Sequence, residues 1–195
     1  MTSSRLATTV VLTALLGLCL GTGRPDARVD VNVDYDKTFD FAPLKTWAWT
    51  PGQPGDVKMA RTQEDDPDVA RKKAEPIILD AMAKEMPKRG LALATGTPDV
   101  TMTYYLLLTT TMSAQTIGQF VPAVVAWGLP LIPQATQSIE MMNAGAMVLD
   151  ATAGGKVVWR GVARAKIDFD ADDAKREKLL REGIRDLVKK FPPKR

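Results

Sequence analysis

The chain has 195 residues, with 26 basic and 23 acidic side chains and a net charge of +3. This small excess is unlike the concentrated basic surface of nucleic-acid binders, so we expect no nucleic-acid partner. The chain has no histidine and a single cysteine, Cys19. Imidazole is therefore excluded as a metal ligand or general base. Zinc sites and thiol nucleophiles, which depend on histidine and cysteine side chains, are disfavoured.

The N-terminus has the layout of a secretory signal peptide. Arg5 precedes an apolar run from Leu6 to Leu20, and Gly21, Gly23 and Pro25 follow it closely. The run is too short for a transmembrane helix, which needs about 20 apolar residues. We predict a signal over residues 1–23 and one domain over 24–195, exported to the periplasm.

Cys19 lies at the end of this run, where the lipid-modified cysteine of a bacterial lipoprotein would lie. Leu18 departs from that pattern, which has a small residue before the cysteine. Two alternatives follow: a lipid on Cys19 that anchors the protein to the outer membrane, or ordinary cleavage after Gly21, Gly23 or Ala27. In the second case the mature chain has no cysteine.

The first part of the domain reads as two strands followed by a loop. Apolar residues alternate with polar ones from Val29 to Tyr35, which predicts a strand with one buried face. Residues 36–43 turn the chain, and Leu44 to Trp49 is rich in strand-forming residues. Residues 51–68 begin with Gly and Pro and contain an acidic cluster, which predicts a solvated loop.

A helix is predicted to begin near Ala74, with Pro76 in its first turn, and to end at Pro87 and Gly90. Its buried stripe is predicted to contain Ile77, Ile78, Ala81 and Met82. A second helix is expected to start at Asp172 or Asp173 and to stop at Pro192. Its apolar stripe is predicted to contain Leu180, Ile184, Leu187, Val188 and Phe191.

Three strands lie between the helices. A long central strand is predicted from Val100, and two more strands, 146–150 and 157–167, flank a turn at Gly154 and Gly155. On the last strand, Val157, Trp159, Gly161, Ala163 and Ala165 are predicted to share one face. Arg160, Arg164 and Lys166 lie on the other face, which we expect to be solvated, with Asp30 and Asp34 as candidate partners.

The predicted order is β-β-α-β-β-β-α. It indicates an α+β fold: a single, mostly antiparallel sheet of about five strands with two helices packed on one face.

Several segments resemble a family of bacterial envelope lipoproteins known as domain of unknown function 4136 (DUF4136). They are VDYDKTFDFAPLKTWAW at 33–49, Lys88-Arg89-Gly90, PDVTMTYYLLL at 98–108, MVLDATAGGKVVWRGVA at 147–163 and KKFPP at 189–193. The first and fourth segments are the specific ones. The resemblance implies an exported, often lipid-anchored domain, and it supplies no catalytic residue and no cofactor.

The connection 112–139 departs from the polar loop expected in that family. No charged residue occurs from Val100 through Ile139. Three alternatives are a transmembrane helix, which three prolines disfavour, a loop folded over the core, and an exposed apolar surface for a partner or lid. The candidate ligand or partner residues in the segment 117–132 are Phe120, Val124, Trp127, Leu129 and Leu131.

Other candidate sites have simpler explanations. The series Asp168, Asp170, Asp172, Asp173 lacks the glycine and glutamate of a calcium loop, so we favour helix capping and expect no metal. The acidic run 64–66 is expected to be solvated. The tryptophans are expected to fill the core rather than to form a stacking platform; they are Trp47, Trp49, Trp127 and Trp159.

We therefore expect a non-enzymatic envelope domain that binds a protein or another envelope component through residues 117–132. The alternative is a periplasmic carrier or sensor of a small apolar ligand. An enzyme is the least favoured class. A closed internal cavity between the sheet and this segment, beneath Phe120 and Trp127, favours the carrier. A flat exposed patch favours the partner-binding domain, and a deep cleft joining Asp or Glu to Lys or Tyr favours an enzyme.

Overall fold

The computed structural model describes residues 29–60, 66–112, 141–168 and 171–193. Cys19 and the five candidate residues between Phe120 and Leu131 lie outside these ranges. In the described ranges the elements are β1 (Asp30–Tyr35), β2 (Thr46–Trp49), β3 (Gly55–Ala60), α1 (Pro67–Glu85), β4 (Ala92–Leu93), β5 (Val100–Met112), β6 (Met141–Ala153), β7 (Lys156–Lys166) and α2 (Asp173–Val188).

All seven described strands belong to one sheet, with the order β1-β7-β6-β5-β2-β4 and with β3 also paired to β5. The pairs β1–β7, β7–β6 and β6–β5 are antiparallel, whereas β2 and β3 run parallel to β5, and β4 runs parallel to β2. The α+β class with two helices is confirmed. The sheet is mixed and has seven strands, so the prediction of about five mostly antiparallel strands was wrong in number and direction.

The main missed strand is β3, which lies inside the predicted loop 51–68. Val57 is buried and Met59 half-buried, and they alternate with Asp56 and Lys58, but the Pro and Gly residues before them suggest a loop. Their partners lie on β5, far along the chain. Because this pairing is non-local, the local sequence does not reveal it.

Helix α1 begins earlier than predicted, at Pro67 rather than near Ala74. The side chain of Asp66 caps it by accepting a hydrogen bond from the backbone N–H of Asp68 at 2.8 Å. Pro76 therefore lies inside the helix rather than in its first turn. The carbonyl of Lys72, which proline leaves without its usual helical donor, is at an exposed position where water can hydrate it. The predicted start of α2 is confirmed, with Asp172 as its N-cap.

Both helices pack against one face of the sheet, called here the near face. Its residues form rows across β1, β7, β6 and β5: Tyr35–Trp159–Ala151–Met102, then Val33–Gly161–Leu149–Tyr104, then Val31–Ala163–Met147–Leu106, and last Ala165–Gly145–Leu108. Leu187 of α2 lies directly over Gly161, where a Cβ atom would come within 2.6 Å of its Cδ2. The first two rows thus contain the aromatic residues Tyr35, Trp159 and Tyr104, whereas the last row contains the small residues Ala165 and Gly145.

The two helices run side by side in the same direction. Lys73 pairs with Asp173 near their N-termini, and Asp80 pairs with Arg181 further along both helices. The fully buried side chains lie in their C-terminal halves and include Ile78, Met82, Ile184 and Leu187. Helix–helix packing is therefore tight toward the C-termini.

The opposite face, called here the far face, contains a buried ion pair. Arg160 of β7 donates two hydrogen bonds of 2.6 Å to the carboxylate of Asp150 on β6, and both side chains are less than a tenth exposed. Burial raises the pKa of Asp150, and the hydrogen bonds from Arg160 oppose that rise. The prediction that Arg160 belongs to a solvated cationic row was wrong, because Asp150 is its direct cross-strand neighbour.

A bulge where β6 meets β7 corrects one further prediction. The register shifts between Ala151 and Thr152, so that Val158 rather than Val157 joins the hydrophobic core. The extra residue of a bulge changes which side chains face the core. From Trp159 to Ala165 the predicted face holds, as the pairing of these residues with the near-face residues of β6 shows.

Because Asp150 and Arg160 form a buried ion pair, we expect the stability of the protein to fall sharply when only one of them is replaced. We expect Arg160→Met to lower the free energy of unfolding by about 3–5 kcal/mol, because it leaves the Asp150 carboxylate buried without its partner. The double variant Asp150→Leu/Arg160→Met should recover most of the loss, since no buried charge remains. Urea denaturation followed by circular dichroism measures both values, and equal losses in the two variants would contradict this account.

Candidate functional site

A cavity of about 420 Å³ lies between the N-terminal halves of α1 and α2 and one end of the sheet. Its volume falls within the roughly 300–1,000 Å³ of small-molecule sites. The cavity is partly open to solvent, and its lining is mostly apolar. The fold thus leaves a preformed pocket at the end opposite to the tightly packed halves of the helices.

The floor of the pocket consists of small residues on the last two near-face rows. Gly145, Ala163 and Ala165 lie on β6 and β7, next to Leu106 and Leu108 of β5. At the other end of the same face Trp159 fills the equivalent space and is fully buried. Ala163 lies under Gly183 of α2, where a Cβ atom would be 3.5 Å from the Ala163 Cβ, and the Ile167 side chain covers Gly145. Small residues of both the floor and α2 therefore border the hollow.

The walls come from helical stripes at spacings of three and four residues, which place side chains on one helix face. The α1 wall contains Val69, Ala70, Lys73, Ala74 and Ile77, and the α2 wall contains Arg176, Glu177, Leu180 and Gly183. Met59, near the end of β3, and Ile167, just beyond the end of β7, also line the pocket. Arg164 also borders the pocket, but on β7 it alternates with Ala163 and Ala165, so its side chain is directed toward the far face.

Charged side chains surround the mouth, and they are paired with each other. Asp173 binds Arg176 at 2.6 Å and Lys73 at 3.3 Å. Hydrogen bonds from Arg176 and then from Lys73 lower the pKa of Asp173, so the carboxylate is ionised at neutral pH. Glu177 binds Arg181 at 2.7 Å. The mouth therefore carries both signs of charge around an apolar interior.

Two polar contacts hold α1 at the edge of the sheet beside the pocket. The Tyr104 hydroxyl donates to Glu75 at 2.5 Å, and Arg71 binds Asp56 of β3 at 2.7 Å. Tyr104 has no solvent exposure, and its burial raises the pKa of the phenol far above its usual value, so the hydroxyl remains protonated. Because the phenol is buried and Glu75 is half-buried, this pair is a structural contact that links α1 to the sheet.

The described ranges contain no group of three or more histidine, cysteine, aspartate or glutamate side chains arranged to hold a metal ion. Neither of the two described helices combines the length and apolarity needed to cross a bilayer. Asp172 caps α2 by accepting from the backbone N–H of Lys175 at 2.7 Å, which confirms the capping explanation of this acidic residue.

The segments 33–49 and 98–108 are joined by one carboxylate. Asp99 accepts hydrogen bonds from the backbone N–H groups of Lys45 and Thr46 at 2.9 and 2.8 Å, and from the Thr46 hydroxyl at 2.8 Å. Arg89 makes a comparable link to the C-terminal segment, donating to the carbonyl of Phe191 at 2.8 Å. Gly154 and Gly155 have φ values of 56° and 75°, which permit the tight turn between β6 and β7. Each of these links is structural.

A family model described as domain of unknown function (DUF4136) matches residues 31–193. The chain belongs to the DUF4136 family. No curated protein matches it at a significant level.

Several solved structures are similar to this chain at low sequence identity. A PDZ domain protein from Parabacteroides distasonis is 13% identical with a TM-score of 0.51, and the match covers 87% of this chain and 37% of that protein. A DUF4136 family protein from Bacteroides thetaiotaomicron is 16% identical with a TM-score of 0.49, covering 87% of this chain and 97% of that one. A PelC dodecamer from Paraburkholderia phytofirmans is 12% identical with a TM-score of 0.35, covering 83% and 98%.

The expected core role of the tryptophans is confirmed for two of the four, since Trp47 and Trp159 are almost completely buried. Trp49 is half-buried, with its ring 5.5 Å from that of Trp47, as their spacing on one strand predicts. Trp127 lies outside the described residues, together with Cys19 and the other candidate surface residues. The structure therefore does not test the predicted site at 117–132.

The pocket of this DUF4136 domain was not predicted from the sequence. The shared face of Ala163 and Ala165 was predicted, but no hollow above them was. A usable signal is that Gly145 and Ala165 are direct partners across β6 and β7, with Ala163 in the adjacent row opposite Met147. To recognise this signal, one must know the pairing register of the β6–β7 hairpin, which is set by the turn at Gly154 and Gly155.

The hydrogen bonds that Asp99 accepts from Lys45 and Thr46, called here the Asp99 clamp, predict that the stability of the protein depends on pH. Its hydrogen bonds, first that from the Lys45 amide, lower the pKa of Asp99 below its ordinary 3.8. Because the folded pKa is the lower one, the stabilisation is complete above the unfolded pKa and is lost as the pH falls through the folded pKa. We expect Asp99→Asn to melt at a lower temperature than the native protein at pH 7, and to lose less on acidification from about pH 5 to about pH 3.

Melting curves recorded by circular dichroism across this pH range test the expectation. Thr46→Val keeps the two amide donors to the carboxylate but removes the hydroxyl that donates to it and that accepts from the Asp99 backbone N–H at 3.1 Å. It should lower the melting temperature at pH 7 while retaining more of the pH dependence than Asp99→Asn does. Parallel pH profiles for the native protein and Asp99→Asn would show that the clamp is not the titrating contact.

Proposed function

We propose that this DUF4136 domain is an envelope carrier or sensor that binds a small apolar molecule in the pocket between its helices and its sheet. The observation that supports the proposal is the apolar cavity of about 420 Å³. Protein interiors are normally close-packed, and voids larger than a water molecule are few. A hollow of this size at the sheet surface is the arrangement expected of a ligand site.

The contacts around the pocket support a site that keeps its shape without a ligand. Arg71 and Glu75 attach α1 to the edge of the sheet through Asp56 and Tyr104. Helix α2 is held by Leu187 where it packs over Gly161. Because each helix has its own attachment to the sheet, neither is free to move over the small residues of the floor.

Binding of another protein or an envelope component is the second candidate. It is supported by the uncharged sequence from Val100 through Ile139, which contains Phe120, Val124, Trp127, Leu129 and Leu131. Large apolar surfaces of this kind usually mark interaction sites. The pocket favours the small-ligand function because its lining and volume are properties of residues that the structure describes.

A pocket-filling substitution tests ligand binding. Ala70 is half-buried on the α1 wall, and Ala70→Phe places a ring in the cavity. With purified full-length protein in detergent-free buffer, we expect saturable binding of the uncharged polarity-sensitive dye Nile red, measured by fluorescence. Ala70→Phe should weaken that binding by about tenfold or more, a loss of roughly 1.4 kcal/mol or more.

The matched control is Ala83→Phe, which adds the same ring at an exposed position of α1 that does not border the pocket. It should bind the dye as the native protein does. Equal binding by both variants would show that the dye binds elsewhere. If instead a protein copurifies and the dye does not bind, the partner-binding function takes the place of the carrier function.

Export is also part of the proposal, and the order of Arg5, the apolar run Leu6–Leu20 and the following small residues supports it. We expect the protein from its native envelope to have lost its N-terminus. Its intact mass should fit either a chain that begins with lipid-modified Cys19 or an unmodified chain cleaved after Gly21, Gly23 or Ala27. Cys19→Ser should leave the membrane fraction only in the first case. A full-length mass in the cytoplasmic fraction would contradict export.

A further inference from the structure

We infer that Asp173 is a specificity-determining residue of the pocket, and that it makes the pocket select an uncharged amphiphile, such as a monoacylglycerol, over a fatty-acid anion. This inference rests on the proposed ligand-binding function. It names the chemical class of the ligand: one hydrocarbon chain that ends in hydroxyl or ester groups.

The first observation is the charge balance of the mouth. Lys73 and Arg176 are the cations on the helix walls, and Asp173 and Glu177 are the carboxylates. Asp173 lies between the two cations and binds both of them. Glu177 is bound to Arg181, which also binds Asp80. The charges of the two walls therefore cancel within the protein.

The second observation is the apolar interior. Behind the mouth the pocket is lined by aliphatic side chains, including Ile77, Leu106, Leu108 and Leu180. A charged head group cannot enter this space without losing its hydration. The head group of an amphiphile must therefore remain at the mouth, beside Asp173 and its two cations, while the chain occupies the interior.

The energetic consequence differs for the three kinds of head group. Because the two cations and two carboxylates of the walls sum to zero, neither a carboxylate nor a cationic head group gains net attraction at the mouth, and either one loses part of its hydration there. A hydroxyl group can donate to the Asp173 carboxylate, and hydroxyl or ester oxygens can accept from Lys73, while the existing ion pairs remain in place. The uncharged head group is therefore favoured.

Asp173→Asn changes this balance with little change in shape. It removes the negative charge beside Lys73 and Arg176, so the mouth gains one net positive charge. An anion then meets the two cations without a competing carboxylate. The substitution should convert a pocket that disfavours dodecanoate into one that accepts it.

The test compares three probes with twelve-carbon chains, each below its micelle concentration: 1-monododecanoylglycerol, dodecanoate and dodecyltrimethylammonium. Displacement of Nile red from full-length protein gives their affinities at low ionic strength, because exposed charges are screened by salt. We expect the native protein to bind the monoacylglycerol about tenfold or more tightly than either ion. Asp173→Asn should strengthen dodecanoate binding by about tenfold and leave monoacylglycerol binding within about threefold.

The matched control is Asp68→Asn, which removes the same charge in the first turn of α1 at a residue that does not border the pocket. It should leave all three affinities unchanged. Native protein that binds dodecanoate as tightly as the monoacylglycerol would overturn the inference, as would an Asp173→Asn variant with unchanged selectivity. In both of these cases the pocket would still bind ligand. If neither Nile red nor any probe binds, the proposed function itself fails.

Discussion

The size of the side chains along the near face of the sheet determines how the two helices can pack. Trp159 and Tyr104 occupy the rows beneath the C-terminal halves of the helices and are fully buried. Gly145, Ala163 and Ala165 occupy the rows beneath the N-terminal halves. Gly183 of α2 lies over Ala163, so small residues occur on the helix as well as on the sheet at this end. The pocket is therefore bordered by small residues, whereas large buried side chains fill the other end.

The segments that identify the DUF4136 family maintain this arrangement. Asp99 ties β2 to the start of β5, Arg89 ties the end of α1 to the C-terminal segment, and two glycines close the β6–β7 turn. These contacts set the sheet register and the positions of the helices. Because they are structural, recognising the family leads to a fold and not to an activity. The pocket residues Ala70, Ile77 and Leu180 lie outside the segments that carry the resemblance.

The polar contacts of the molecule divide into two groups by burial. Asp150–Arg160 is a buried ion pair, and the buried Tyr104 hydroxyl donates to the half-buried Glu75; both contacts favour one packing of sheet and helices. The contacts at the pocket mouth are exposed, so each contributes little to stability. Burial, rather than the pairing itself, therefore decides how strongly a polar contact constrains this fold.

Local patterns in the sequence were enough to predict the α+β class, the long strand β5, the shared face of most of β7, the N-cap of α2 and the Gly154–Gly155 turn. Each depends on residues close together in the chain, where alternation, capping and turn chemistry act directly. The parallel strand β3, the early start of α1 and the buried state of Arg160 were not predicted. They depend on β5, Asp66 and Asp150, and two of the three are contacts made across the sheet. The pocket belongs to this second group, because small residues border a hollow only when the strand register and the packing of two helices bring them together.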